Sequence, residues 1–291
     1  MKLRYIFILL SVIIFFVGLS AVKTAQNSTP NSNLPVSEVK FYDDRSFIEG
    51  INIAVEDFKI PSYKISGAVV NHHTLASYII ADVFKKISVQ GPKVLVILGP
   101  NHYEKGNFNV LTSKHLWNTK YGLVEPDENI INDLISKNLA RPDEETLLND
   151  HATTGLLPFV KFYMPSVKVV QLLVSKKLTK DEAETLSNTL TIYAKDGAVI
   201  IASTDFSHYL TAGQANVKDE ETLEAINNFD YSTLFSFNSD HLDSPGSLGV
   251  LLMTMQKTGK TKQEIIYHAN SATIDPNLDT FTTSYFSMFY H

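Results

Sequence analysis

Short runs of residues that would be apolar on both faces of a strand recur between residues 93 and 203. The clearest is Lys93–Leu98 (KVLVIL), which is apolar on both faces that a strand would present. Val167–Val174 (VKVVQLLV) and Gly197–Ser203 (GAVIIAS) predict further strands. Strands with two apolar faces are typical of parallel sheets that are covered on both sides. These runs therefore predict a central parallel sheet between two layers of helices.

Segments with helical spacing alternate with these strands. Thr179–Lys195 is the best defined, because Thr179 and Glu182 form the sequence pattern of a capping box. Further helices are predicted at Thr74–Ile87, Pro126–Ala140, Asp219–Phe229 and Ser247–Thr258, and further strands at Lys64–Asn71 and Tyr285–Tyr290. No break rich in Pro and Gly divides residues 41–291. We therefore predict one three-layer α/β/α domain with a mostly parallel sheet over residues 41–291.

The first 25 residues have the pattern of an export signal or a membrane anchor. Lys2 and Arg4 precede an apolar run from Tyr5 to Val22, which is just long enough to span a bilayer. We expect residues 1–25 to be either an uncleaved signal anchor or a cleaved signal peptide. Residues 26–40, rich in Asn, Ser and Pro, are predicted to form a flexible linker. The protein is then exported, and is membrane-anchored outside the cytoplasm or secreted after cleavage.

Composition excludes several classes of function. The net charge is −6, and this lack of a Lys and Arg surplus argues against a nucleic-acid partner. The chain has no cysteine, which excludes disulfides, thiolate metal sites and cysteine nucleophiles. The glycine-rich motifs of nucleotide-binding proteins and the G-x-S-x-G motif of α/β-hydrolases are absent from the sequence.

Polar clusters that contain histidine follow three of the predicted strands. They hold His72, His102 and His208, and Asp150-His151 is a fourth candidate. Ligands bind beyond the carboxyl ends of strands in open α/β sheets, so we expect these histidines to converge. Imidazole is a common ligand of Zn, Fe and Cu, and it transfers protons near neutral pH.

Each of these residues also has a purely structural interpretation. A single histidine at the end of a strand is more often a loop or packing residue. His73 follows His72 directly, so the two side chains should point to opposite faces. Asp205, three residues before His208, suits either a helix cap or a group that orients an imidazole or accepts a proton.

Four motifs in order give the chain its resemblance to a known family. They are Asn71-His72-His73-Thr74, Leu98-Gly99-Pro100-Asn101-His102, Asp150-His151-Ala152-Thr153-Thr154-Gly155-Leu156-Leu157-Pro158 and Ser203-Thr204-Asp205-Phe206-Ser207-His208. The chain thereby resembles the Memo family, called AmmeMemoRadiSam system protein B in microbes. The resemblance spans roughly residues 64–291.

The resemblance implies a fold similar to that of class III extradiol ring-cleaving dioxygenases, which bind non-haem iron(II). It implies that His72 and His102 bind the metal. It also implies that His208 transfers protons beside Asp205, and that His151 lies in the pocket. The family's third ligand position falls on Ile274, which cannot coordinate a metal, and Thr273 or Asp275 could replace it only with a register shift of one residue. With His208 or Asp275 as the third ligand, the site would be able to activate water or oxygen. The acid of the middle motif is replaced by Thr154.

Two functions from different classes follow, and a third alternative, a purely structural surface protein, would leave the polar clusters at the strand ends without a role. The first is a metal-dependent enzyme, either an oxidoreductase related to the dioxygenases or a hydrolase. It would use a divalent metal such as Fe(II), Zn or Cu, with an unidentified small molecule as substrate. The second is a non-catalytic binding module that retains the pocket and is tethered outside the membrane. The missing third ligand favours the binding module, and retention of all four histidines favours the enzyme.

Overall fold

The computed structural model describes residues 33–56 and 59–291. The strands in this part of the chain are β1 Val36–Glu38, β2 Gly67–Val70, β3 Val94–Pro100, β4 Val110–Thr112, β5 Leu116–Thr119, β6 Gly122–Pro126, β7 Arg141–Pro142, β8 Lys168–Val174, β9 Val199–Ser203, β10 His208–Leu210, β11 Gln263–Asn270 and β12 Thr282–Tyr290. The α-helices are α1 Asp44–Glu56, α2 Ser77–Ser88, α3 Glu128–Ser136, α4 Glu144–Leu148, α5 His151–Thr154, α6 Leu157–Tyr163, α7 Lys180–Lys195, α8 Ala212–Asn227, α9 Tyr231–Leu234, α10 Pro245–Thr258 and α11 Ser271–Ile274. Short 3₁₀ turns occur at Thr74–Ala76 and Pro276–Leu278.

The strands form one mixed sheet with a parallel centre. Its order is β1-β5-β6-β8-β3-β9-β2-β12-β10, and β6, β8, β3, β9 and β2 run parallel to one another. In the middle, Val96 lies opposite both Val170 and Ile200. β12 pairs antiparallel with β2, β10 and β11. The predicted α/β class with a mostly parallel central sheet is confirmed.

Alternate residues of each central strand enter two separate cores. In β3, Val96 and Leu98 pack against one face with residues of α3, α7 and α10. Leu95 and Ile97 pack against the other face with residues of α1, α2 and α6. This separation follows from the two-residue period of a strand, and it produces the three predicted layers.

Several predicted boundaries differ from those of the structure. α8 begins at Ala212 rather than Asp219, because Thr211 and Gln214 form a capping box there. α3 begins at Glu128, since Asp127 is its N-cap and Pro126 ends β6. The predicted capping box of Thr179 and Glu182 is present at the start of α7.

The predicted linker 26–40 also differs from the structure at its C-terminal end. Val36–Glu38 form β1, which pairs in parallel with β5. Polar residues around a short apolar stretch suggested a linker, but the hydrogen bonds of this strand are provided by an element about 80 residues away in sequence. No local sequence pattern indicates that β1 pairs with β5.

Residues 33–56 and 59–291 contain no helix that is long and apolar enough to cross a bilayer. The predicted signal or anchor at residues 1–25 lies outside the described residues, as does most of the predicted linker.

Candidate metal centre

A pocket of about 820 Å³ opens beyond the carboxyl ends of β2, β3 and β9. All five site residues predicted from the sequence line it, namely His72, His102, His151, Asp205 and His208. Asp243, which was not predicted, also lines the pocket, as do the charged residues Glu104 and Lys176. The expected convergence of the strand-end histidines is therefore present in the structure.

His72 follows β2 and is almost completely buried. Its Nδ1 atom lies 3.0 Å from the Ser203 hydroxyl at the end of β9. That hydroxyl donates its hydrogen to the carbonyl oxygen of Ala152, at 2.6 Å. Because Ser203 has no second hydrogen to give, Nδ1 of His72 must be the donor in their contact. Nε2 is therefore the nitrogen that faces the pocket.

His102 follows β3 and is held by Asp150. Its Nδ1 lies 2.8 Å from Oδ1 of Asp150, and its backbone N–H donates to Oδ2 at 2.8 Å. Asp150 is the N-cap of α5, and this helix packs closely against Gly99. A side chain at Gly99 would lie 2.9 Å from Cβ of Ala152, so glycine permits the approach that brings Asp150 to His102.

The three buried or half-buried imidazoles differ in orientation. One nitrogen from each of His72, His102 and His151 lies within 4.8 Å of the others. The rings of His72 and His102 are perpendicular, with centroids 5.0 Å apart. The rings of His102 and His151 are nearly parallel, with centroids 4.3 Å apart. The lone pairs of a nitrogen lie in its ring plane, so perpendicular rings can converge on one ion more readily than stacked ones.

Asp243 joins the two histidines predicted as ligands. Its Oδ2 lies 3.1 Å from Nε2 of His72 and 3.9 Å from Nε2 of His102. It lies in the segment before α10, next to an isolated bridge between Phe206 and Leu242. Sequence reasoning missed Asp243 because this long-range bridge, and no local motif, brings it to the pocket. The one local signal is an acid directly before the cap and proline that begin α10.

The carboxylates and imidazoles of the pocket shift one another's pKa values. Burial alone would lower the pKa of His72, but Asp205 and Asp243 outweigh it and raise the pKa to about 9. Burial also opposes ionisation of Asp243, yet the neighbouring His72 lowers the pKa of Asp243 to about 2. Burial and the charges of His72 and His102 lower the pKa of His151 to about 3. The pocket thus favours a positive charge between His72 and the acids.

Asp205 was predicted to orient the ring of His208, and this prediction is wrong because both carboxylate oxygens of Asp205 lie near His72. Oδ1 of Asp205 accepts a hydrogen bond from the backbone of His72 at 3.1 Å, and its Oδ2 lies 3.6 Å from Nε2 of His72. Nδ1 of His208 is buried and has no hydrogen-bond partner among the described residues. Asp205 lies beside His72 because β9 pairs in parallel with β2 and the pairing continues past the end of β9, where Thr204 N–H donates to the carbonyl of Val70.

The three residues considered for the third ligand position are engaged elsewhere. Ile274 packs beside the apolar cluster of Ala76, Ile79 and Tyr285. The Thr273 hydroxyl donates to the carbonyl of Asn270, and Asp275 caps the turn that begins at Pro276. Residues 273–275 are not among those that line the pocket.

The remaining histidines lie at the rim of the pocket or outside it. His73 is exposed at the rim, where its Nδ1 lies 2.7 Å from the Tyr285 hydroxyl. His115, His241 and His268 contact Ser37, Glu221 and Asp219, and His291 stacks on Tyr63. The last four do not line the pocket, as the sequence predicted.

The pocket is also lined by apolar residues. They are Val174, Leu178, Phe235, Phe237, Leu242 and Pro245. Phe235 packs directly on Gly249 of α10, where a Cβ atom would lie 2.5 Å from the ring. The lining of the pocket therefore combines polar, charged residues with apolar ones, as is typical of small-molecule sites.

Comparisons with known proteins match this chain over most of its length. The sequence model of the family described as "Memo-like protein" matches residues 47–288. The chain belongs to the Memo-like family. A MEMO1 family protein of Sulfurisphaera tokodaii is 30% identical over 217 residues, which cover 72% of this chain and 73% of that protein. A MEMO1 family protein of Aquifex aeolicus is 31% identical over 158 residues, which cover 53% of this chain and 57% of that protein.

A solved structure shares the fold. It is that of an uncharacterized protein from Escherichia coli K12, with a TM-score of 0.54 and 13% identity. The match covers 77% of this chain and 99% of that chain. The resemblance to the Memo family inferred from the motifs is confirmed. The solved structure from Escherichia coli supports the layered fold. The buried groups of His and Asp could hold a metal ion in this Memo-like protein.

Proposed function

We propose that this Memo-like protein is a metal-dependent oxidoreductase of the dioxygenase type that acts on a small molecule in the histidine-lined pocket. The observation that carries the proposal is the orientation of two imidazoles. The Nδ1 atoms of His72 and His102 are held by Ser203 and Asp150, so both Nε2 atoms face the pocket. Imidazoles fixed in this way by an outer partner are characteristic of metal sites.

The donor set fits a divalent metal. Neutral imidazole nitrogen and carboxylate oxygen suit Fe(II), Zn and Cu, and no thiolate is available in this chain. His72 and His102 would hold the ion, which would supply Lewis acidity to a ligand bound beside it.

The other polar residues are proposed to handle protons and bind the substrate. His208 lines the pocket, and its Nδ1 has no hydrogen-bond partner within residues 33–56 and 59–291, so we assign to His208 the uptake or release of a proton from the substrate. Burial and the neighbouring imidazoles lower the pKa of His151 and keep its ring neutral, so it would bind the substrate as a hydrogen-bond donor or acceptor. Asp205 would hold the backbone of His72 in place through its Oδ1 atom.

Metal content and oxygen consumption test the proposal. The full chain should bind a stoichiometric divalent metal, and the double variant His72→Ala, His102→Ala should lose it. His115→Ala is the matched control, because His115 contacts Ser37 outside the pocket. Oxygen uptake with catechols and iron(II) under reducing conditions should then depend on His72 and His102. Metal that survives the double variant would contradict the assignment of the ligands.

A second candidate is a binding module without catalysis. It is favoured by Ile274 in place of the family's third ligand and by Thr154 in place of the acid in the middle motif. The Thr154 hydroxyl donates to the carbonyl of Asp150, a helix contact that a carboxylate would not make. Retained metal with no turnover of catechols or hydrolysable esters would favour this candidate.

We also propose that the domain acts outside the cytoplasm, tethered by residues 1–25 or released by cleavage. The basic residues Lys2 and Arg4 before the apolar run support this location. Membrane fractionation of the producing cells, together with mass spectrometry of the mature N-terminus, distinguishes the anchored form from the secreted one. Full-length protein in the cytosolic fraction would contradict both.

A further inference from the structure

Backbone strain marks one residue at the rim of the pocket. Four residues other than glycine have a positive φ angle in the described part of the chain. Asn138 and Phe229 directly follow the C-caps of α3 and α8, where a left-handed residue is usual. Glu104 lies in a turn that its N–H closes onto the carbonyl of Asn101. Tyr209, with a φ of 61°, lies instead within the short strand β10.

Tyr209 is the extra residue of a bulge. The register of β10 against β12 shifts between His208 and Leu210. The left-handed position of a bulge is normally occupied by glycine, since a Cβ atom makes that conformation strained. A tyrosine kept at such a position indicates that its side chain has a role. That role is not core packing, because the side chain is 62% exposed.

The side chain of Tyr209 forms an aromatic surface at the mouth of the pocket. Tyr209 lines the pocket, and Phe281 packs on its ring with centroids 4.8 Å apart and planes inclined at 43°. Phe281 is also exposed but does not line the pocket, so it supports the ring of Tyr209 from outside. A planar apolar group can stack on an aromatic ring that is held in this way.

A hydrogen-bond donor lies on His73. Nδ1 of His73 lies 2.7 Å from the hydroxyl of Tyr285, which is completely buried. The phenol hydrogen has no other acceptor within residues 33–56 and 59–291, so Tyr285 donates it to Nδ1. The proton of the neutral imidazole is therefore on Nε2. Since His73 lines the pocket and Tyr285 does not, the ring edge that carries Nε2–H is the one that reaches the pocket.

Strand β12 brings the donor and the aromatic surface to the same end of the pocket. Thr283 of β12 lines the pocket and pairs with His208, the residue before Tyr209. Tyr285, which holds His73, lies two residues further along, on the same face of β12 and about 7 Å away. A ligand beside His208 can therefore contact both Tyr209 and His73.

Charge selects the kind of acceptor that fits His73. Asp205 lies beside His72, one residue from His73, and would repel a carboxylate ligand. A positive charge on His72 is already balanced by Asp205 and Asp243. Lys176, which also lines the pocket, follows β8 on the far side of β3 and β9. An uncharged carbonyl oxygen can accept from Nε2–H without this repulsion.

We propose that Tyr209 and His73 form a subsite that binds a planar aryl group bearing an uncharged carbonyl oxygen. The aryl group stacks on Tyr209, and Nε2–H of His73 donates to the carbonyl. The subsite contains none of the proposed metal ligands, and binding to it needs no metal. The inference deepens the proposed function by naming the class of its substrate, and it rests on that proposal only for the ligand being a substrate.

Fluorine NMR titrations of the full chain, treated with a chelator, test the class of ligand. The probes are para-fluoroacetophenone, para-fluoroethylbenzene, which has a similar shape but no acceptor, and para-fluorobenzoate, which is charged. The ketone should bind about 3–10-fold more tightly than the ethylbenzene, as one hydrogen bond predicts, and more tightly than the benzoate. Equal affinity for the first two probes, a preference for the benzoate or no binding of the ketone would overturn the inference.

Replacement of Tyr209 tests the aromatic surface. Tyr209→Asn removes the ring and introduces a residue that tolerates a positive φ, so the urea midpoint should not fall. The affinities for the ketone and the ethylbenzene should both fall about 3–10-fold. Tyr103→Asn is the matched control, because Tyr103 is exposed beside the pocket but does not line it. Unchanged affinities in Tyr209→Asn, or an equal loss in Tyr103→Asn, would refute the role of Tyr209.

Replacement of His73 tests the donor. His73→Phe keeps a ring but removes Nε2–H, so it should weaken the ketone about 3–10-fold and leave the ethylbenzene unchanged. Tyr285→Phe removes the hydroxyl that fixes the tautomer of His73, and it should reduce the same preference, whereas a merely structural role would weaken both probes equally. His115→Phe, outside the pocket, should change neither affinity. A folded His73→Phe variant that still prefers the ketone, as checked by circular dichroism, would overturn the inference.

The double variant His72→Ala, His102→Ala separates the inference from the proposed function. It should keep the preference for the ketone, and loss of that preference in the folded variant would refute His73 as the donor. If the unchanged chain binds no metal while the probes bind as described, the proposed function fails and the subsite stands. If metal binds at His72 and His102 but the ketone and the ethylbenzene bind equally, the subsite fails and the metal site stands.

Discussion

Replacement of Asp150 by asparagine should weaken metal binding at His102 although residue 150 is not itself a ligand. The Asp150 carboxylate accepts three hydrogen bonds, from Nδ1 and the backbone N–H of His102 and from the backbone N–H of Ala152. Burial opposes its ionisation, but the hydrogen bond from His102 and the charge of that ring hold the pKa of Asp150 below its usual value. Asparagine has nearly the same shape, yet it is neutral and has one acceptor oxygen instead of two.

The magnitude follows from these contacts. In the Asp150→Asn variant, the side-chain amide nitrogen should occupy the position of Oδ2, because Oδ1 accepts two hydrogen bonds and Oδ2 only one. The backbone N–H of His102 then loses its acceptor. A hydrogen bond to a charged group contributes about 1.5–3 kcal/mol, so the free energy of unfolding should fall by about that amount. The remaining bond to Nδ1 becomes one to a neutral oxygen. Loss of such outer support weakens metal affinity by about 10–100-fold, or about 1.4–2.8 kcal/mol.

A competition titration of Zn²⁺ between the full chain and a chromophoric chelator measures the affinity, and urea denaturation measures the stability. Asp143→Asn is the matched control, since Asp143 is also a helix N-cap and accepts from the backbone N–H of Thr146 at 3.0 Å. It does not line the pocket, and asparagine caps a helix about as well as aspartate, so this variant should change the stability little and leave the zinc affinity intact. A folded Asp150→Asn variant with unchanged zinc affinity would refute the proposed role of Asp150.

Three further substitutions test the packing that supports the site, each by urea denaturation of the purified chain. Thr179→Ala removes the hydroxyl that caps α7 and should cost about 1 kcal/mol, and an unchanged midpoint would show that the cap is replaced. Gly249→Ala places a Cβ 2.5 Å from the Phe235 ring and should cost about 1–3 kcal/mol, unless the ring moves freely into the pocket. Leu186→Ala opens a cavity in the core between the sheet and α7 and should cost about 2–5 kcal/mol, and a loss below 1 kcal/mol would indicate that the core collapses around it.

Local patterns predicted the elements with the most regular sequences. The capping box of Thr179 and Glu182 marks the start of α7 correctly, because the contacts involved join residues three apart. The strand β3 was also predicted correctly, because its own side chains are apolar on both faces and this pattern is visible in the sequence. By contrast, β1 was taken for linker, since its three residues gain their hydrogen bonds from β5. Short strands at a sheet edge depend on their partner more than on their own composition.

The sequence alone determined the α/β class and the end of the sheet at which His72 and His102 meet. Apolar strands and capped helices are encoded by neighbouring residues, and parallel strands necessarily bring their carboxyl ends to one edge. Only the tertiary structure decided that Asp243 faces both imidazoles, that Asp150 orients His102, and that Ile274 lies outside the pocket. These contacts join residues far apart in sequence, and no local pattern specifies which acid will approach which histidine once the helices pack on the sheet.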